Sequence, residues 1–373
     1  MIKENKVKVI NMLMFIITSL SILDESDYIQ IPNNINRGIS LVLDLLLLIV
    51  IVREFKTTKK KLIILAIIAS IIMYTTFVTG VFTLMSSFLW FAVCSCLDEK
   101  EVIKKTTNII IFWVILHSFI YIIDVINGKV HVNADFYGRI RYNLGFNTPN
   151  ASGILMLWWY VGKSYLKKFK IKYTMLYFIL ILFFYYFNDC RTMIYTALIL
   201  LILSIILNIN KNSKLISKVS LIIIPLIFFI TITTGYLYDS NNFIREIDSK
   251  YSHRILFSNF AIKEYGPTIF GRKINDENNI TVGNYNGKVI MDVLYVSLFY
   301  RFGIIYIVIL SLLAYYIYRN RTNDEKLLVI IYAIFSMFEL YGINFVICFP
   351  MIFASKWINT SMKISKKDER EII

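Results

Sequence analysis

Apolar runs long enough to cross a bilayer recur along this chain, separated by short segments rich in lysine and arginine. Roughly 17 to 20 residues of helix cover about 30 Å of hydrocarbon, because each residue advances about 1.5 Å. In lipid each spanning segment must satisfy its own backbone N–H and C=O groups, so runs of this kind are helices. The fold class read from the sequence is therefore all-α: a polytopic integral membrane helical bundle of about 12 transmembrane helices. It forms a single membrane domain over residues 1–373, with one large extracytoplasmic loop, residues 238–292, between the ninth and tenth spans.

Composition supports this reading. Hydrophobic residues make up 57% of the 373 and charged residues 17%, and the mean hydropathy is +0.62. That is more apolar surface than one soluble core can hide. A net charge of +15 would suit a nucleic-acid partner, but its placement argues otherwise. The basic residues gather in REFKTTKKK, KKFKIK, KNSKLISK and RNRTNDEK, which fall on one side of the successive spans. That is the positive-inside rule of membrane proteins, and no nucleic-acid partner is expected. Both termini then lie in the cytoplasm. The first run follows Lys3, Lys6 and Lys8 and is not succeeded by a small-residue cleavage site, so it reads as an uncleaved span. Cys94, Cys96, Cys190 and Cys348 lie in or beside apolar runs without metal or disulfide spacing and read as structural.

The spans are expected near 7–23, 38–52, 106–126, 150–166, 173–187, 191–209, 219–237 and 303–318. The stretch 62–97 divides at Thr79-Gly80, and 327–358 is long enough for two short spans around Asn344. Pro225 should kink the ninth span.

Function is sought where charge runs against the topological bias. Arg139, Arg141, Arg191, Arg254 and Arg272 all fall in segments placed outside. Guanidinium forks pair with phosphate oxygens through charge-assisted bonds of about 1.5 to 3 kcal/mol, so a lipid diphosphate would account for them. Thr148-Pro149-Asn150 reads as the N-cap and first turn of a span, followed by the small Ala151, Ser152 and Gly153. Arg191 stands in the first turn after Asp189-Cys190, and Ser252 is the expected N-cap of a loop helix running from His253 to about Tyr265. Three helix N-termini with arginine at or near them would bind an anion if they converged. On the loop helix, Arg254, Ser258, Ala261 and Tyr265 share one small or polar stripe, while the remaining faces are apolar and should pack.

His253 is a candidate general base, as are Glu246, Asp248, Glu264 and Asp292, with no pair singled out by spacing. His117 lies inside a span and reads as a hydrogen-bonded core residue, and His131 as a surface one. Asp44 and Glu339 are carboxylates within apolar runs, where a charge is costly; Asp44 reads as structurally paired, and Glu339 stays open. No Asp-x-Asp or His-rich metal constellation, Walker loop, dinucleotide fingerprint or Gly-x-Ser-x-Gly elbow occurs, so neither a metal nor a nucleotide cofactor is expected.

These pieces, in this order, resemble the Wzy-type polysaccharide polymerases and their O-antigen ligase relatives. The resemblance lies in R-I-R-Y-N-L-G-F-N-T-P-N at Arg139 to Asn150, C-R-T at Cys190 to Thr192, S-H-R-I-L-F at Ser252 to Phe257 with I-F-G ending at Gly271, and M-D-V-L-Y-V-S-L-F-Y-R-F-G at Met291 to Gly303. It spans about residues 105 to 345. Cys190 departs from the serine usual in the family. The resemblance implies an undecaprenyl-diphosphate-linked oligosaccharide as donor, a similarly lipid-linked acceptor, and the bacterial cytoplasmic membrane. It also implies a flippase and a chain-length regulator as protein partners. On that reading Arg254, Arg191 and His253 are catalytic, and Arg139, Arg141, Asn150, Arg272 and Tyr265 bind substrate. An O-antigen-ligase-like transferase or a glycan transporter stands as the alternative, although the half-to-half repeat expected of a transporter is not seen.

Overall fold

The computed structural model describes residues 2–54, 57–129, 132–134, 140–250, 253–274, 279–282, 285–288 and 292–359. Its helices are α1 (Ile2–Leu23), α2 (Asn33–Glu54), α3 (Lys59–Thr79), α4 (Thr83–Cys94), α5 (Glu99–Ile126), α6 (Pro149–Leu166), α7 (Ile171–Asn188), α8 (Arg191–Ile209), α9 (Lys214–Leu237), α10 (Asn242–Lys250), α11 (Arg254–Tyr265), α12 (Leu294–Ser297), α13 (Ile305–Asn320) and α14 (Asn323–Ser336). Two short antiparallel hairpins are the only sheet among the described residues. Strand β1 (Val132–Ala134) pairs with β2 (Ile140–Tyr142), and β3 (Asn279–Val282) with β4 (Tyr285–Lys288). The chain is thus an all-α protein in which both hairpins fall in segments read from sequence as loop.

The chain forms two compact units and passes between them more than once, including within α4 at Ala92. One holds α1, α2, α5 to α8 and Phe345–Ile352; the other holds α3, α9 to α14 and the chain from Phe353 onward. The first is built around α6, which is buried on nearly every face and packs on α5, α7 and α8. Small residues make that possible. A Cβ on Gly153 would meet Cys190 Sγ at 2.6 Å, and one on Gly162 would meet Thr107 Cγ2 at 2.3 Å, so these glycines let the helices approach closely. At one end, Ser26 bridges to Phe146 and the Asn147 amide donates to the Glu25 carbonyl at 2.9 Å. The loop after α1 is thereby joined to the segment entering α6, two segments that the sequence places on the same side of the membrane. His117 is buried there as expected, with Nδ1 2.8 Å from the Trp113 carbonyl oxygen, Nε2 2.9 Å from Ser26 Oγ, and its ring stacked on Phe146.

The second unit is built around α14, likewise buried over most of its length, against α9 and α13. α9 runs through Pro225 as one continuous helix. α12 passes directly into a π-helical turn, Leu298–Phe302. Beside that turn runs the segment after α11: Thr268 N–H donates to the Phe299 carbonyl at 3.0 Å, and Ile304 N–H to the Thr268 carbonyl at 2.9 Å. I-F-G and R-F-G therefore interlock. Gly303, at φ 112°, has room for no side chain, since its Cβ would lie 2.2 Å from the Ile269 carbonyl oxygen.

α2, α3, α5, α7, α8 and α9 are long and apolar enough to cross a membrane. Their outer faces carry large exposed apolar side chains, among them Ile63 and Phe77 on α3, Ile179 and Phe183 on α7, and Phe229 on α9. Patches of that extent belong in lipid. Val9–Leu23, Thr83–Cys94 and Ile305–Asn320 are shorter apolar helices. Six full-length candidates among the described residues fall short of the expected twelve, and the last apolar run shows one reason. In place of two long α-helices, α14 ends at Ser336 and is followed by 3-10 turns at Leu340–Ile343 and Phe349–Trp357. Gly342 is pressed against Ser336 and Leu294, and Pro350 cannot donate to a continuing α-helical ladder. The break expected at Thr79-Gly80 is present, with Gly80 as a left-handed C-cap at φ 71°.

Candidate functional site

In the second unit the polar stretch after α9 folds into helices that dock on α9 itself. α11 buries Leu256, Phe257, Ser258, Asn259, Ala261 and Ile262. Asn259 Nδ2 donates to the Gly235 carbonyl at 2.8 Å, and a Cβ on Gly235 would strike Ile262 Cδ1 at 2.6 Å. Lys263 and Asn259 both bond to Asp239 just beyond the end of α9. These contacts fix the start of α11, and hence Arg254.

Ser252, the expected N-cap, lies outside the described residues. His253 occupies the cap position in a left-handed conformation, φ 60° and ψ 24°, and its side chain makes no capping bond. The capping acceptor is Asp248, fully buried at 0% exposure, whose Oδ1 accepts the Ile255 N–H at 2.7 Å. Its carbonyl accepts the His253 N–H at 3.3 Å, and its Oδ2 lies 3.5 Å from His253 Nδ1. The Tyr238 hydroxyl faces the same carboxylate. Burial pushes the Asp248 carboxyl above the usual carboxylate range, against the pull of the Ile255 N–H and the His253 ring.

Arg254 meets a residue that sequence reasoning left open. Its Nη2 donates to Glu339 Oε1 at 3.1 Å, with side-chain exposures of 16% and 3%. The guanidinium also lies over the Phe338 ring, 5.9 Å from its centroid. Asp292 is the other acid it influences: burial raises that carboxyl, and the Arg254 charge pulls it part of the way back. A guanidinium held by one buried carboxylate and facing a second can orient a phosphate or glycan oxygen. Glu339 carried one signal in the sequence, a carboxylate stranded in an apolar run. Its partner, 85 residues away, left none.

Tyr265 stacks on Tyr300 with ring centroids 5.4 Å apart. Both terminal nitrogens of Arg272 donate to backbone carbonyls, of Tyr265 and Pro267, clamping the turn after α11.

The first unit holds the other arginines. Thr148 caps α6 as expected, accepting the Ala151 N–H at 3.1 Å with Pro149 in the first turn. Arg141 ties three segments together: its Nη2 donates to Asn150 Oδ1 at 2.7 Å, and its Nε to the Asn188 carbonyl at 3.1 Å. The buried Asn188 side chain in turn accepts the Cys190 N–H at 3.1 Å and reaches Ser152 Oγ at 3.4 Å. The N-termini of α6 and α8 are thus held side by side through Gly153 and Cys190, with Arg191 in the first turn of α8. Arg139 and His131 lie outside the described residues. Of the three N-termini considered from sequence, two share this unit, and that of α11 belongs to the other. No family model, curated protein or solved structure matches this chain.

Proposed function

We propose that the protein is a membrane glycosyltransferase that joins lipid-diphosphate-linked oligosaccharides at the outer face of a bacterial cytoplasmic membrane, as a polysaccharide polymerase does. On this reading the chain crosses the bilayer about twelve times with both termini inside, and residues 238–292 lie outside. An acceptor sugar hydroxyl attacks the anomeric carbon of the donor, whose bond to the diphosphate breaks, and polyprenyl diphosphate leaves with the electron pair. Such a reaction brings together two anionic lipids, and each unit offers one arginine group. Arg254 serves the leaving diphosphate, with Glu339 setting its orientation; Arg141 and Arg191, beside Asn150 at the paired starts of α6 and α8, serve the other lipid. Tyr265 lines the sugar path. A flippase supplies the lipid-linked units, and a chain-length regulator acts on the product.

The observation that carries the reading is the half-buried Arg254 held by Glu339 in the first turn of α11. A buried ion pair contributes little net stability compared with apolar residues of similar size, so keeping one beside an outer loop favours a use for its charge. The test is replacement of Arg254 by lysine in the host, with abundance and membrane insertion checked by immunoblot. Lysine keeps the charge but loses the bidentate fork. Loss of a donor that stabilises the departing charge is expected to cost on the order of 3 kcal/mol, or about 10²- to 10³-fold in rate. Full-length polysaccharide from the Arg254→Lys strain rejects the role. Deletion of the gene discriminates the wider alternatives: single repeat units on lipid indicate a lost polymerase, long polymer on lipid a lost ligase, and units retained inside a lost flippase.

A further inference from the structure

The hydrogen bonds at the start of α11 do more than end a loop. Left-handed backbone at a non-glycine residue is strained, and such residues collect at functional sites. His253 is held in that conformation by Asp248, whose backbone carbonyl takes the His253 N–H and whose Oδ1 takes the Ile255 N–H. One carboxylate oxygen is thereby spent on the cap. The other, Oδ2, is buried 3.5 Å from His253 Nδ1, and the Tyr238 hydroxyl faces the same carboxylate. A ring nitrogen set against a carboxylate oxygen is favoured as a donor, because two lone pairs repel, so the arrangement favours a proton on Nδ1. The imidazole then carries its lone pair on Nε2, and the ring is 23% exposed.

We infer that Asp248 is a positioning residue that fixes the tautomer of His253, leaving Nε2 as the proton acceptor for the attacking sugar hydroxyl. This rests on the glycosyltransferase reading above and deepens it. The hydroxyl proton passes to Nε2, the hydroxyl oxygen forms the new bond to the anomeric carbon, and the carbon–oxygen bond to the diphosphate breaks with its electron pair on the leaving group. The imidazolium then gives up its proton to solvent, and no oxidant, reductant or further reactant is consumed.

Asp248→Asn is the decisive variant. Its side-chain oxygen still caps Ile255, but its amide donates toward Nδ1, which moves the ring proton to Nε2 and removes the acceptor. The chain contains 3 histidines, so ¹⁵N-histidine labelling of the full chain in lipid nanodiscs gives a spectrum simple enough to assign. His253 is identified as the signal lost in His253→Asn, a substitution whose residue tolerates left-handed backbone. The expected result is an Nδ1–H tautomer in the unaltered protein and an Nε2–H tautomer in Asp248→Asn. In host membranes that supply their own lipid-linked repeat units, both variants are expected to lose polymer formation by about 10²- to 10⁴-fold at normal abundance. An unchanged tautomer in Asp248→Asn overturns the inference. So does a switched tautomer with undiminished polymer in either variant, which leaves the polymerase reading standing. A deletion strain that still makes polymer overturns that reading, and this role of His253 with it.

Discussion

Arg141 and Arg254 are the same residue type with different hydrogen-bond partners. In the first unit Arg141 bonds to neutral oxygens, the Asn150 amide and the Asn188 carbonyl. In the second, Arg254 bonds to the carboxylate of Glu339 and faces Asp292. Hydrogen bonds from a guanidinium to amide oxygens chiefly set geometry. One paired with a buried carboxylate has part of its field cancelled, and it depends on that partner as much as the partner depends on it. The first arrangement suits holding a ligand that stays anionic throughout. The second suits a group whose charge on the ligand grows during the reaction, because the carboxylate fixes the fork in advance.

The largest expected effect follows from that dependence. Arg254→Ala leaves the Glu339 carboxylate, 3% exposed, without its guanidinium partner, and breaking a buried pair from one side costs about 3 to 5 kcal/mol. Thermal unfolding of the purified chain in detergent is expected to show it as a marked drop in midpoint. The double replacement Arg254→Met with Glu339→Leu removes both charges and is expected to recover most of the loss. A double variant no more stable than Arg254→Ala would show that the pair is not what holds this region.

Arg141→Met is the matched change in the other unit. It removes the charge-assisted bonds to the Asn150 amide and the Asn188 carbonyl, so about 1.5 to 3 kcal/mol is expected, again read from the unfolding midpoint. Here a second neutral replacement, Asn150→Leu, is not expected to restore stability. Recovery comparable to that of the Arg254 pair would erase the contrast between the units.

Much of this was legible in the chain. T-P-N gave the start of α6, Thr79-Gly80 gave the end of α3, and the apolar wheel of α11 gave its docking, because caps, breaks and amphipathicity are local properties. His117 was legible as core for a similar reason, lying within an apolar run. The partner of Arg254 was not, since pairing across 85 residues follows no spacing rule. Nor was Asp248 as the α11 cap: the usual cap precedes its helix directly, whereas here the chain leaves α10 and folds back on it. The last apolar run misled because hydropathy counts length and is blind to the close packing at Gly342 that turns the chain.

Glycine substitutions compare the units at their tightest contacts. Gly153→Ala drives a methyl into Cys190, and overpacking of this kind costs about 1 to 3 kcal/mol. Gly303→Ala meets the Ile269 carbonyl and adds the strain of φ 112°, so it belongs at the upper end of that range. The unfolding midpoint is expected to fall further for Gly303→Ala. The reverse order would mean that the joint of I-F-G with R-F-G yields more readily than the seam between α6 and α8.

The smallest effect is a dependence on pH at the start of α11. Burial raises the folded-state pKa of Asp248 above its unfolded value near 3.9. Between those two values the folded chain binds more protons than the unfolded one, so stability falls as pH rises through the folded-state pKa and is regained fully below the unfolded one. Asp292, raised for the same reason, has the same sign. The amides of Asn150 and Asn188, which accept from Arg141, do not titrate. Hydrogen exchange, corrected for the intrinsic pH dependence of amide exchange, reads the two places separately. Protection of the Ile255 amide, which donates to Asp248, is expected to fall with rising pH, while that of the Ala151 amide, which donates to Thr148, stays level. Asp248→Asn keeps an acceptor for Ile255 but has no proton to lose there, so it is expected to flatten most of the slope. An equal slope at both amides would place the titration elsewhere and remove the electrostatic difference between the two arginine clusters.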